Sequence, residues 1–417
     1  MDIAIIADDL TGAADCAVEF TGSRRSVVLS LGDLDRRWAD VPTVEADSRD
    51  ASDGRTNAQR TPADVLAIDT NSRDLPPSAA ALRVAVAVQA LKAREPRLWY
   101  KKMDSTLRGN VAAELGAFAT GIDCSLLLVA PSYPAQGRGL VGGSLRPTAP
   151  SSNRAQEAQH LPTMLQPTGL PLHILPLALV RRGPAAVRIV LQAAQPGTIV
   201  IADATTDGDL DMLVAAADGL GPGVAVAGSA GLAAALARAQ RQTILDAPQL
   251  TRAHAVLLVV GSRQPASRRQ LALAAERFGP AVVWPPADAG TDSRVIKAVV
   301  AQASSDPAVL LLATSPVPAA NPLSVAAGIA AAAAALISAH AIRRVFCTGG
   351  GIARVLCDRL GIRLLSVSGR VLEGMPALRA LDGVPGLVLV TKAGGFGSDD
   401  TLLRAHRYLA GEEVMLQ

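Results

Sequence analysis

Aromatic residues are scarce: Phe, Trp and Tyr together make up 3% of the 417 positions. Platforms that stack nucleic-acid bases need such rings, so a base-stacking role is not expected. No Lys/Arg block compensates. The formal net charge is only +3, spread along the chain, and it offers no basic stripe to follow a phosphate backbone, so no nucleic-acid partner is expected. The four cysteines, Cys16, Cys124, Cys347 and Cys357, form no CxxC pair, and the five histidines are scattered. A disulfide framework and a Cys/His zinc site are therefore excluded, and a reducing, cytoplasmic compartment fits. Long apolar runs are also missing. The most apolar stretch, Val325 to Ile337, is mostly alanine and falls short of the roughly 20 residues that cross a bilayer. It reads as a buried helix, with no membrane partner. The opening MDIAIIADD carries acids where a signal peptide carries bases, and it reads as a first strand.

What is present is a large apolar fraction, 49%, with 18% charged residues, the balance of a compact enzyme rather than a disordered chain. A chain of this length fits two domains. Strand-like runs at Ile3–Ala7, Val27–Leu31, Val65–Ile68, Ser125–Val129, Thr198–Ala202 and Val224–Ala227 alternate with helical windows such as Ser78–Arg94 and Asp209–Ala217. That alternation predicts parallel strands with right-handed crossovers. A polar stretch at 238–254 separates a first domain, 1–237, from a second, 255–417. The second repeats a strand, a Gly-containing turn and a helix three times. The expected fold is α/β: two α/β domains with mainly parallel sheets and an active-site cleft between them. One segment, Gly137 to Pro184, shows little periodicity and reads as a long functional loop, a candidate lid.

In the first half, chemistry-bearing residues gather just after strands. Asp8 and Asp9 follow the opening strand where a helix begins near Thr11, a position that can bind Mg²⁺, orient a hydroxyl or act as a base; alternatively Asp9 merely caps the helix. Lys101, Lys102, Met103, Asp104, Ser105, Thr106, Arg108 and Asn110 lie within ten residues. This set has enough donors to hold a carboxylate and several hydroxyls of a small polyol acid, although Ser105 or Thr106 can also serve as a helix cap. Arg73, in Asp69-Thr70-Asn71-Ser72-Arg73, projects from another strand end and suits bidentate contact with a carboxylate. The turn Pro131 to Arg138 reads as rigid with a basic tip, and Ser229 as part of a close-packed turn rather than a nucleophile, since GxSxG spacing is absent.

In the second half, Gly261-Ser262-Arg263-Gln264, Thr348-Gly349-Gly350-Gly351 and Lys392-Ala393-Gly394-Gly395-Phe396-Gly397 each join a strand to a helix. Glycines let backbone amides approach phosphate, and helix N-termini favour anions. None matches a Walker loop or GxGxxG, so a nucleotide is inferred from the three turns together.

Taken in order, IADDLTGAAD (6–15), DTNSR (69–73), KKMDSTLRGN (101–110), the Pro-turn-GR (131–138), VVGSRQPASRRQ (259–270), TGG (348–350) and TKAGGFGSDDTL (391–402) resemble the four-carbon acid sugar kinase family. The resemblance covers nearly the whole chain. It implies a sugar-acid-binding N-terminal domain, an ATP-binding C-terminal domain, and transfer of the γ-phosphoryl group to the terminal 4-hydroxyl of a four-carbon acid, with ATP and Mg²⁺ as cofactors. Carried over, Asp8 or Asp9, Arg73 and Lys102–Ser105 contact the acid, joined by Lys101 and Arg108 from the same cluster. Ser262, Gly349–Gly351 and Gly394 contact ATP, with Thr348, Lys392 and Gly395 beside them; no metal ligand is singled out. The DTNSR form is similar to the threonate and erythronate branch, D-threonate above all, with D-erythronate and 3-oxo-tetronate as alternatives. The family usually reads TGGDTA at the middle turn, whereas this chain has Gly351-Ile352, so a carboxylate and a hydroxyl are missing. A degenerate, non-catalytic nucleotide and sugar-acid binder is thus a rival, and a nucleotide-dependent dehydrogenase is another. Asp104 or Asp9 is expected to orient the hydroxyl and Lys102 to neutralise developing charge. The expected partners are the acid and ATP, with a homo-oligomer left open.

Overall fold

A computed structural model describes residues 1–22, 25–32, 63–148, 159–221, 223–285, 291–302, 308–317 and 321–412. The chain divides into two compact units, Met1–Ile244 and Leu245–Gln417.

The first unit runs β1 (Ile3–Ala7), α1 (Leu10–Ala17), β2 (Val27–Leu31), β3 (Val65–Asp69), α2 (Pro77–Lys92), β4 (Leu98–Lys102), α3 (Val111–Gly121), β5 (Leu126–Ala130), β6 (Arg138–Val141), β7 (Ser144–Pro147), α4 (Leu161–Leu165), β8 (Leu172–Leu175), α5 (Leu177–Val180), α6 (Pro184–Ala193), β9 (Thr198–Ala202), α7 (Asp207–Ala217), β10 (Val224–Gly228) and α8 (Ala230–Ala239). Its main sheet has the order β2-β3-β1-β4-β10-β5-β9-β8, with parallel pairing throughout. β1, β2, β3, β5 and β9 are buried along their whole length. This is why they read as unbroken apolar runs: helices cover both faces of a parallel sheet.

The second unit runs β11 (Val256–Val260), α9 (Pro265–Phe278), β12 (Val282–Trp284), α10 (Ser293–Ala301), β13 (Val309–Thr314), α11 (Pro322–Ala339), β14 (Arg344–Thr348), α12 (Gly350–Arg359), β15 (Leu364–Leu372), β16 (Met375–Ala380), β17 (Val388–Lys392) and α13 (Thr401–Ala410). The order β12-β13-β11-β14-β17-β16-β15 is parallel from β12 to β17 and antiparallel from there to β15. α11 is long and apolar enough to cross a membrane, but Gly328–Ala333, Leu336 and Ile337 are buried within the fold.

Both units place their first four strands in the same spatial order: second, third, first, fourth. The chain leaves the first strand in one direction and continues beyond the fourth in the other. Each unit therefore has a topological switch point, between β1 and β4 and between β11 and β14, and open α/β sheets bind ligands beyond the carboxyl ends of strands at such points.

The segment 137–184 departs from the loop expected of it. Its described residues form the β6–β7 hairpin, α4, β8 and α5, and 149–158 lie outside the described residues. The hairpin turns on Gly142 and Gly143, both at positive φ (58° and 70°), the two-residue geometry that glycine allows at no steric cost. Asp203 holds that turn by accepting from the amides of Gly142 (2.7 Å) and Gly143 (2.9 Å). Ser229 caps α8 and donates from Oγ to the Ser132 carbonyl at 2.7 Å, in keeping with a packed turn.

Candidate active site

In the first unit, register brings the end of β1 between the ends of β3 and β4: Ala7 pairs with Asp69 on one side and Lys102 on the other. Whatever follows these three residues must converge. Asp9 is the N-cap of α1, its Oδ1 accepting from the Gly12 amide at 2.8 Å, and Thr11 Oγ1 donates to its Oδ2. Capping is only part of its work, because Arg73 reaches across from the loop after β3. Arg73 Nη1 donates to Asp9 Oδ2 at 2.6 Å and Nε to Asp8 Oδ2 at 2.6 Å, while Nη2 lies 3.9 Å from Asp104 Oδ1. The guanidinium expected to meet a substrate carboxylate is thus held by the chain's own carboxylates.

Burial pushes the Asp8 carboxyl up, but the Arg73 charge and hydrogen bond, with Lys101 and Lys102 nearby, outweigh it and hold Asp8 below its ordinary range. Its Oδ1 is buried and has no hydrogen-bond partner. Asp104 is the opposite case. Arg108 Nε and Nη2 grip both its oxygens at 2.7 and 3.0 Å, and Thr106 Oγ1 donates to Oδ2. Burial raises this carboxyl too, but the Arg108 hydrogen bonds and the Arg73 and Arg108 charges hold it far below the usual range.

The two lysines differ as well. Lys101 is buried, with Nζ 2.8 Å from Glu114 Oε2 and donating to the Lys102 carbonyl. Lys102 Nζ donates to the Met103 carbonyl at 2.8 Å and lies beside Gly12 at the start of α1. Met103 is buried. A narrow pocket is lined by Asp8, Lys101, Met103, Asp104, Arg108 and Asn110 together with the start of α3. Neither Ser105 nor Thr106 caps α3, whose N-cap is Asn110; Ser105 Oγ instead receives Arg138 Nη1 at 2.5 Å.

Glu114 escaped the sequence, and Asn110 and Arg138, both visible there, have partners that it did not show. Glu114 lies on the buried face of α3 with Val111, Leu115 and Phe118, and a charge in that apolar spacing was the available signal. Its Oε1 also accepts from Ser72 Oγ at 2.7 Å, tying the ends of β3 and β4 together. Asn110 Nδ2 donates to the carbonyls of Ser72 and Leu75. Arg138 opens β6 and turns toward Ser105, so it is not a solvated tip.

In the second unit the three glycine turns meet at the ends of β11, β14 and β17, which are neighbours in that order. A Cβ on Gly394 would fall 2.0 Å from Ser262 Oγ, and Gly349, at φ 106°, lies against Gly261 and Ser262. Thr348 Oγ1 donates to the Lys392 carbonyl at 3.1 Å. Gly350 and Gly351 open α12, and Gly351 and Gly395 both border open space. Ile352, where the family carries a hydroxyl, packs against Gly261. Lys392, expected at the nucleotide, lies beneath its own loop and donates to the carbonyls of Ala393 (3.0 Å) and Phe396 (2.9 Å). Burial lowers its pKa to about 8.

Two α/β units, one with a polar pocket of acids and bases and one with glycine turns at a switch point, define a two-domain protein that handles a small polar ligand and an anion-bearing one. The matches to known families agree: residues 3–236 match a sugar-binding N-terminal domain and residues 257–402 a nucleotide-binding C-terminal domain. The chain belongs to the four-carbon acid sugar kinase family. It is 34% identical to a D-threonate kinase of Bordetella bronchiseptica, covering 97% of this chain and 96% of that one. Identity is also 34% to a D-threonate kinase of Cupriavidus necator, with 96% of both chains covered. Solved structures from Salmonella typhimurium LT2 (22% identity, TM-score 0.72, covering 97% of this chain and 99% of that one) and Haemophilus influenzae (20%, 0.68, 97% and 100%) share the fold.

Proposed function

We propose that this chain is an ATP-dependent kinase that phosphorylates the 4-hydroxyl of a four-carbon sugar acid, D-threonate foremost. Relatives named D-threonate kinase align at 34% over nearly the full length, whereas a D-erythronate kinase aligns with 65% of the chain and 3-oxo-tetronate kinases are 27% identical.

The observation that carries the reading is Asp8. It is an ionised, buried carboxylate whose Oδ1 has no donor in a residue that lines the polar pocket. An acceptor left unmade costs about 1–3 kcal/mol, which a substrate hydroxyl relieves. Asp9 and Asp104 have donors on both oxygens, so of the three carboxylates Asp8 is the best placed to orient the hydroxyl and take its proton as the oxygen attacks phosphorus and ADP leaves. Lys102 offsets charge developing on the transferred group. Arg138 and Ser105 supply donors for the acid's oxygens, with Arg108 and Arg73 setting the field around them.

The nucleotide lies on the turns 261–264, 348–351 and 392–397. Mg²⁺ would accompany the nucleotide and offset the charge of its phosphates during transfer. The cytoplasm, where ATP is abundant, is the compartment this activity implies.

The test is ADP release coupled to a reporter, across D-threonate, D-erythronate and 3-oxo-tetronate. D-Threonate should give the highest kcat/KM. If ATP and D-threonate both bind by calorimetry but no acid raises ADP release above background, the chain is a binder and the kinase reading fails.

A further inference from the structure

The loop Ala393–Ser398, which follows β17, has its carbonyls drawn inward by side chains from beneath. Ser267 Oγ, on α9, donates to the Gly394 carbonyl at 2.7 Å. Gln270, one turn further along α9, spreads its Nε2 over the carbonyls of Phe396 (2.9 Å), Gly397 (3.2 Å) and Ser398 (2.9 Å). Lys392 takes those of Ala393 and Phe396. Every carbonyl from 393 to 398 except that of Gly395 thus accepts from one of three side chains that are buried. Peptide planes whose oxygens point into the fold turn their N–H groups to the other side, and successive amides presented that way form an anion-binding concavity.

Gln270 keeps this arrangement at a cost. Its Oε1 is buried without a partner, an expense of the kind that packing alone does not require, since an apolar side chain at that point leaves nothing unsatisfied. Gly394 has no room for a Cβ, and Gly395 faces open space. Gly394 is tight because it abuts Ser262 and Gln264 of the neighbouring turn, and the open side at Gly395 is where a ligand fits.

We propose that Ser267 and Gln270 are positioning residues for the nucleotide's phosphates: they touch no ligand, and they hold the Ala393–Ser398 loop with the amides of Gly394, Gly395, Gly397 and Ser398 outward, while that of Phe396 donates back to the Ala393 carbonyl at 3.1 Å. Lys392 belongs with them, acting through the loop rather than at the phosphate. The inference rests on the second unit binding the nucleotide, as in the proposed kinase activity.

The experiment is calorimetric titration of the full chain with ADP, alongside steady-state kinetics with D-threonate and thermal unfolding. Ser267→Ala and the isosteric Gln270→Glu, which lacks the amide donor, should each weaken ADP binding and raise KM for ATP by about 5- to 30-fold, the loss of one or two hydrogen bonds. KM for the acid should stay within twofold, and Ser267→Thr should restore ADP affinity to within about threefold. If Gln270→Glu does not fold, Ser267→Ala and its rescue carry the test. Unchanged ADP affinity in folded Ser267→Ala, or equal losses for ADP and the acid, overturns the proposal. Wild-type chain that binds ADP yet turns over no acid sinks the kinase reading and leaves this one standing.

Discussion

A buried carboxylate oxygen without a donor is uncommon, and Asp8 lies next to two carboxylates that have donors on both oxygens. Asp8→Asn should therefore lower kcat for D-threonate by about 10²- to 10⁴-fold, the usual worth of a positioned proton acceptor, without altering ADP affinity. Asp104→Asn should act mostly on KM, because its oxygens serve Arg108 and Thr106. Rapid-mix kinetics on both variants separates the roles, and a larger kcat loss for Asp104→Asn would reverse them.

Lys392 gives a second residue-scale prediction. Burial lowers its folded pKa from 10.5 to about 8, so between those pH values the unfolded chain holds a proton that the folded chain has released. Stability then rises with pH across that window, by at most about 3 kcal/mol. Urea midpoints at pH 7.5, 9 and 10 should climb in the wild type relative to Lys392→Met. A neutral amine still has two hydrogens, so both loop carbonyls remain served.

The charged residues were visible in the sequence as clusters, but their pairings were not. Asp8, Asp9, Arg73 and Asp104 lie on three segments, and only strand register makes Arg73 a partner of all three acids rather than a free anchor. Lys101 shows the same limit: adjacent lysines look alike until strand alternation gives one a buried glutamate and the other a helix N-terminus.

Among elements, the fully buried strands were legible because a sheet covered on both faces leaves continuous apolar runs. β12, β13, β15 and β16 were not assigned. Three-residue β12 is too short to show a period, and β15 carries register shifts between Val367 and Gly369 and between Arg370 and Leu372 that break alternation. The β6–β7 hairpin had its Gly-Gly signal in plain view, masked by the Pro- and Ser-rich stretch beside it.

α7 offers an element-scale test. Thr206 and Asp209 form a capping box at its start, and Asp209 also accepts from Arg181 Nε at 3.0 Å. Burial raises the Asp209 carboxyl, yet the Arg181 hydrogen bond and those from Thr205 and Thr206 lower it to about 2. Its contribution is complete above its ordinary value of 3.8 and is lost as pH falls through about 2. Asp209→Asn should be less stable than wild type at pH 7 and should lose less stability between pH 4 and 2. Parallel acid titrations of the two proteins followed by circular dichroism check this; curves of identical shape would show that the box adds nothing.

For the whole molecule, the sequence carried the division into two α/β halves and the family resemblance, but the shared order of the first four strands lay below detection. That order is a property of connections, and two halves without similar residues can still share it. It explains why both sets of candidate residues fall at the ends of neighbouring strands. Substitutions in one unit should accordingly change one ligand's affinity and spare the other's: Arg138→Ala should weaken D-threonate binding about tenfold, the worth of a hydrogen bond to a charged group, with the ADP isotherm superimposable on that of wild type. An equal change in both titrations would show that the ligands do not divide between the units.

The absence of space at Gly394 has a practical side. A single methyl group there would collide with the Ser262 hydroxyl, 2.0 Å from where the new carbon must lie, while nothing in the first unit is altered. Gly394→Ala should thus act as a wedge that weakens nucleotide binding in the second unit and spares acid binding in the first, as paired titrations with ADP and D-threonate would show. Immobilised, such a protein becomes bait, able to fish from a cell extract the compound that its active counterpart would have consumed.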